Sequence, residues 1–207
     1  STIMASPDRG RTWPLGPLTK KPSHMFSTWG LPSYVVRPNG DVLLFSDAIL
    51  RGNEERQTMH IYTDLIEDMG RRWTYTGELP LERRDAQFII HPAPLALDGG
   101  GILLAVRAQT PARVVYVMLY RSDDHGRNWQ TVGRVTDVGG TPHLLRLRDG
   151  RIALTYERRF PPCGMRARVS LDTEGWVWGP EIILRDDGEG DMGYSRSVQR
   201  ADGSILT

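Results

Sequence analysis

Apolar and polar positions along this 207-residue chain follow a two-residue period, broken by short turns that carry glycine. Segment 32–44 reads PSYVVRPNGDVLL. Three others align with it without gaps: PAPLALDGGGILL (92–104), PHLLRLRDGRIAL (142–154) and SRSVQRADGSILT (195–207). A turn glycine falls eight residues after the first position of each, at Gly40, Gly100, Gly150 and Gly203. Each copy predicts a strand, a tight turn (Asn39-Gly40, Gly99-Gly100, Asp149-Gly150, Asp202-Gly203) and a second strand. Asn-Gly and Asp-Gly supply the positive φ that a two-residue hairpin turn demands.

A second pattern alternates with the hairpins. SPDRGRTW (6–13) and SDDHGRNW (122–129) match position for position at Ser6/Ser122, Asp8/Asp124, Gly10/Gly126 and Trp13/Trp129. EDMGRRW keeps Asp68, Gly70 and Trp73. SLDTEGWVW keeps Ser170 and Asp172, with Gly175 and Trp178 displaced by one residue. The four tryptophans are 60, 56 and 49 residues apart, the period of a repeated supersecondary unit. A third strand leads into each octet, as VVYVMLYRS does, and a fourth leaves it, as WQTVGRV does. At the turn between them the aspartate can accept turn N–H groups, the glycine permits a backbone angle closed to other residues, and the indole can bury between sheets.

Four strands per unit of roughly fifty residues predict an all-β chain built as a β-propeller of four-stranded antiparallel blades. The phase of the strands predicts a half blade at 1–29, blades at about 30–83, 90–137 and 140–187, and a half blade at 190–207. A chain that starts and stops inside blades reads as part of a longer protein. By itself it would leave open sheet edges, so poor solubility or inactivity is expected of it alone.

Composition narrows the function. Lys and Arg total 26 against 25 Asp and Glu, interspersed, with no basic stripe of the kind a nucleic-acid binder needs. The longest apolar runs, GILLAV (101–106) and VVYVMLY (114–120), are too short to span a bilayer, so no membrane segment is expected. Cys163 is the only cysteine, which excludes an internal disulfide and a thiolate metal cluster. No metal-ligand spacing argues for calcium, and no cofactor is expected.

In a propeller the loops joining second to third strands, and fourth to first, open on one face around the axis, with the octets on the other. Seven residues past each turn glycine stand Asp47, Arg107 and Glu157, three charged residues at equivalent second-strand ends. Arg158 and Arg159 follow in the next loop. Arg166 and Arg168 lie on the third strand and share a face by alternation. The stretch GDMGYSRS (190–197) brings Asp191, Tyr194 and Arg196 to the same rim, and His91 and His143 open the two preceding first strands.

The octets resemble the Asp boxes of the sialidase superfamily. The stretches TYERRFPPCGMRARVS (155–170) and GDMGYSRSVQRADGSILT (190–207) are similar to bacterial BNR-repeat, sialidase-like proteins. The resemblance implies a propeller of six blades when complete. It also implies a hydrolase that removes a terminal sialic acid or related acidic sugar from glycans. A sialic acid's carboxylate suits an arginine clamp and repels a carboxylate nucleophile, so these enzymes use a tyrosine. Tyr194, paired with Ser195 ahead of the Asp202-Gly203 turn, resembles that tyrosine. Glu157, followed by Arg166, resembles the glutamate that takes its proton, and Asp47 stands as the acid/base aspartate. Arg107, Arg159, Arg166, His143, Asp191 and Arg196 are then the expected substrate-binding residues. Secretion or periplasmic export follows from the resemblance alone. Two alternatives remain open: a non-catalytic propeller that binds glycan or protein, and a polysaccharide lyase using Tyr194 or a histidine as base.

Overall fold

The computed structural model describes residues 6, 8–13, 25–28, 33–50, 59–70 and 72–207. The strands expected beside the first octet, at 1–5 and 14–20, lie outside the described residues. So do 29–32, where the first full unit was expected to begin.

The described chain is all-β, with no α-helix among these residues. Its strands fall into consecutive antiparallel units. The first holds β1 (Met25–Thr28), β2 (Ser33–Val36), β3 (Val42–Leu50), β4 (Met59–Glu67) and β5 (Arg72–Glu78). Here β2 pairs the first half of β3 and β1 its last three residues, so two short strands share the first position. The second unit is β6 (Phe88–Ala96), β7 (Ile102–Gln109), β8 (Val115–Ser122) and β9 (Gln130–Arg134). A lone parallel pairing, Met59 with Phe88, joins it to the first. The third is β10 (Gly140–Arg146), β11 (Ile152–Arg158), β12 (Gly164–Val169) and β13 (Ile182–Arg185). A last hairpin pairs β14 (Val198–Gln199) with β15 (Ile205–Leu206).

The turn chemistry differs from a two-residue hairpin. At 37–41 the Gly40 N–H reaches the Arg37 carbonyl, while the Arg37 N–H reaches Asp41. The loop therefore has three residues, and the glycine alone takes positive φ (87° at Gly40). The same bonds recur around Gly150 and Gly203. Asn39, Asp149 and Asp202 stay in ordinary backbone territory, because a type I turn closed by a left-handed glycine needs only one such residue.

The octets with both flanking strands described lie at the turn from third to fourth strand: between β4 and β5, β8 and β9, and β12 and β13. Asp124 Oδ1 accepts the Asn128 N–H at 2.8 Å, Ser122 Oγ accepts the Gly126 N–H at 2.8 Å, and Trp129 Nε1 donates to the Gly126 carbonyl at 3.1 Å. Asp8 repeats this with Thr12 (2.7 Å), and the Trp73 and Trp178 indoles reach Gly70 and Gly175. The Asn128 and Thr12 N–H groups, foremost, hold the Asp124 and Asp8 carboxyls down at about 2. Gly126 is favoured for two reasons: its φ is 83°, and a β-carbon there would lie 2.8 Å from Leu43 Cδ2, which would have to shift.

Side chains alternate between the two gaps separating the units. Leu43, Phe45 and Ile61 face Ile102, Leu104, Val106, Tyr116 and Met118 across the first gap. Leu103, Ala105, Val117 and Leu119 face Ile152, Leu154 and Tyr156 across the second. β7 and β8 are thus covered on both faces, which is why they read as unbroken apolar runs rather than as alternation. The same register aims Asp47 at the second unit, Arg107 at the third and Glu157 beyond the third.

Candidate functional site

Opposite the octets, the ends of β3, β7 and β11 and the starts of β4 and β6 surround a cavity of about 370 Å³. One wall is apolar: Ile49, Met59, Phe88 and Ile90. The other is polar: His91, Arg107, Gln109, Arg159, Asp191 and Tyr194. Their convergence follows from the strands. Arg107 and Gln109 close β7, Arg159 follows β11, and 191–194 runs back towards β14.

His91 occupies a break in the β6–β7 register between Ile90 and Ala93. Its φ is 53°, a left-handed value that a side chain with a β-carbon rarely adopts. Asp47, 1% exposed, accepts the His91 N–H at 2.8 Å and holds this backbone in place. Thr141, at the same repeat position, has φ 45°, and its hydroxyl donates to the Gly193 carbonyl at 3.1 Å. The strained bulge therefore recurs in the second and third units, with a different side chain in each.

A chain of charges lines the far wall. Arg159 Nε donates to Glu157 Oε1 at 2.6 Å, and Arg159 Nη2 reaches Asp191 Oδ1 at 3.0 Å. Glu157 is fully buried, and its Oε2 has no hydrogen-bond partner among the described residues. Arg107 Nη2 donates to Gln109 Oε1 at 2.9 Å, while its Nε is buried without a partner there. Burial, then the positive charge of Arg159, lowers the Arg107 pKa. The positive charge of Arg159 thus bears on Arg107 across the cavity that both line. Burial also lowers the His91 pKa to about 4, reinforced by Arg107 and Arg159 against Asp47 and Asp191. The imidazole is neutral at physiological pH. Tyr194 stands at the mouth, 48% exposed, with its hydroxyl 3.4 Å from His91 Nε2.

Of the residues expected from sequence, Arg107, Arg159, Asp191 and Tyr194 meet around this cavity. Asp47 and Glu157 lie behind its walls, bonded to His91 and Arg159, and do not line it. His143 and Arg196 face a neighbouring cleft of about 320 Å³ along the first strands, with Ser33, Tyr34 and Pro94. There His143 Nδ1 accepts the Ser197 N–H at 3.1 Å, and burial holds its pKa at about 4. Arg166 is elsewhere. The pairing of Tyr156 with Arg166 turns it into the gap between the second and third units, where it is 1% exposed. It donates to the carbonyls of Met165 (3.1 Å), Pro162 (3.0 Å) and Arg185 and pairs with Glu181 at 3.5 Å. Its charge is consumed inside the sheet. Sequence reasoning left out Gln109 and left His91 a strand-opening histidine. The available signal was that His91 and Tyr194 each stand one residue before the start of an aligned hairpin segment.

Residues 3–151 match the BNR repeat-like domain, and the chain belongs to that family. No curated protein matches it. Among solved structures, a protein of unknown function from Dyadobacter fermentans DSM 18053 is 25% identical, with a TM-score of 0.71 over 91% of this chain and 53% of that one. The Hadza microbial sialidase Hz136 is 17% identical, with a TM-score of 0.67 over 84% of this chain and 38% of that one. An endo-arabinase from Bacteroides thetaiotaomicron VPI-5482 is 14% identical, with a TM-score of 0.61 over 92% of this chain and 73% of that one. The chain thus spans about half the length of the first and less of the second. These likenesses place its all-β fold among those of glycoside hydrolases.

Proposed function

We propose that this chain forms part of a sialidase-like β-propeller glycoside hydrolase that removes a terminal acidic sugar, sialic acid or a relative, from glycans. The observation that carries this reading is the pairing of Arg107 with Arg159 in one cavity that has Tyr194 at its mouth. The two guanidiniums suit a sugar carboxylate, which they bind with fixed, untitrating charge. The tyrosine gives a nucleophile that a carboxylate on the anomeric carbon does not repel as it would an aspartate. Ile49, Met59, Phe88 and Ile90 offer the sugar's apolar side a dry wall.

The test is turnover by the full-length protein of 4-methylumbelliferyl glycosides: an α-sialoside, a β-glucuronide and a neutral α-arabinofuranoside. Hydrolysis of an acidic sugar is expected, with Tyr194→Phe losing about three orders of magnitude in kcat. Arg107→Gln is expected to raise KM about tenfold or more for the acidic sugar, the scale of a lost hydrogen bond to a charged group. Faster turnover of the arabinoside, indifferent to Arg107, would remove the acidic sugar from the reading.

A further inference from the structure

The resemblance names Glu157 as the group that takes the proton of Tyr194, and the geometry does not favour it. Glu157 is enclosed, one oxygen accepts from Arg159, and neither oxygen lines the cavity. The group within reach of the phenol is His91. Its Nε2 stands 3.4 Å from the Tyr194 hydroxyl, and the rings meet edge-on, centroids 5.1 Å apart and planes at 67°. A separation at the long end of hydrogen bonding is usual before substrate closes a site.

The surroundings of His91 are arranged for this contact. Its backbone is held in the left-handed region, and a buried carboxylate, Asp47, is committed to the His91 N–H rather than to the ring. Strain of this kind persists where the surrounding structure over-determines it. Thr141, with the same backbone, turns its side chain to a carbonyl, whereas His91 presents its ring to Tyr194. Asp47 reaches His91 from β3, Arg107 from β7, Arg159 from the segment after β11, and Asp191 and Tyr194 from the segment before β14. Burial foremost, with the charges of Arg107 and Arg159 set against those of Asp47 and Asp191, disfavours an imidazolium, so the ring arrives neutral with a lone pair to offer.

We propose that His91 is the catalytic base that takes the phenolic proton of Tyr194, with Asp47 as a positioning residue acting through the His91 backbone. This rests on the proposed reading of Tyr194 as nucleophile. As the Tyr194 oxygen bonds to the anomeric carbon, its proton passes to His91 Nε2. The glycosidic bond breaks, and the aglycone leaves with the bonding pair and takes a proton from solvent. In the second half water attacks the same carbon and releases a proton to solvent. The Tyr194–carbon bond breaks, and His91 returns its proton to the phenolate.

The test compares wild type with His91→Gly, a substitution that suits a φ of 53° and leaves the N–H to Asp47 in place. Two readouts are taken on the full-length protein. One is hydrolysis of the fluorogenic glycosides. The other is acetylation of individual tyrosines by N-acetylimidazole, read by peptide mass spectrometry, with exposed Tyr34 as rate reference and buried Tyr156 as control of folding. In wild type Tyr194 should label faster than Tyr34. His91→Gly should slow hydrolysis about a hundredfold, bring Tyr194 labelling down to the Tyr34 rate, and recover both when imidazole is added. If His91→Gly hydrolyses and labels like wild type while Glu157→Gln does not, the assignment to His91 is overturned and Tyr194 keeps its role. If no glycoside is turned over but Tyr194 labelling still depends on His91, the base assignment stands and the hydrolase reading falls. Absence of both effects overturns both.

Discussion

The two ends of the sheets solve the same electrostatic problem in opposite ways. At the octet end the octet aspartates Asp8, Asp124 and Asp172 are satisfied by their own neighbourhood. Asp124 takes the N–H groups of Arg127 and Asn128 and the hydroxyl of Ser122. At the cavity end the partners come from different units: Asp47 holds His91, Arg159 bridges Glu157 and Asp191, and Thr141 reaches Gly193. Long-range satisfaction leaves His91 Nδ1, Arg107 Nε and Glu157 Oε2 buried without partners among the described residues. Buried orphan polar groups are costly, and His91 and Arg107 bring two of them to the lining of one cavity.

Substitutions can break this division. The largest stability effect is expected at Arg166, which lies at the cavity end but is bound into the sheet. Arg166→Met leaves the Met165, Pro162 and Arg185 carbonyls without their donor and should cost about 3 kcal/mol in denaturant unfolding, with KM for an acidic glycoside unchanged. A raised KM with unchanged stability would return Arg166 to the site. Next, Gly126→Val combines positive φ with overpacking against Leu43. It should cost about 1–3 kcal/mol by thermal unfolding and leave kcat intact, whereas a loss of kcat would couple the two ends. A third effect is with pH. His143 and His91 titrate near 4 in the folded chain against 6.5 for a free imidazole. The unfolded chain therefore binds more protons between those values. Stability should be fully present above about 6.5 and decline as pH falls towards 4. His143→Gln should flatten that slope, and an unaltered melting profile from pH 7 to 4.5 would show that neither ring is held neutral.

How legible all this was depended on distance along the chain. Turns and octets could be read because their chemistry is local: a glycine at a fixed offset, an aspartate four residues before the N–H it accepts. Strand-end positions could also be read, since seven residues past the turn glycine is a count, and Asp47, Arg107 and Glu157 do stand at the same end. Facing was not legible. Alternation said that Arg166 and Arg168 share a face, but only the pairing of Tyr156 with Arg166 says which one, and it is the face towards the second unit. Likewise nothing local distinguishes a histidine opening a strand from one delivered to a tyrosine 103 residues later. The turn type was missed for a smaller reason: Asn-Gly and Asp-Gly fit both two- and three-residue hairpins.

The central sheet has a consequence of its own. All eight residues of β8 are buried, whereas β13 at the outer edge of the third unit is exposed throughout. Deuterium uptake should begin at such edges and reach the middle strands only when a flanking layer lifts away. Because the cavity draws its walls from all three layers, an occupant would clamp them together, so that a stack able to open leaf by leaf would melt as one body while that occupant is in place.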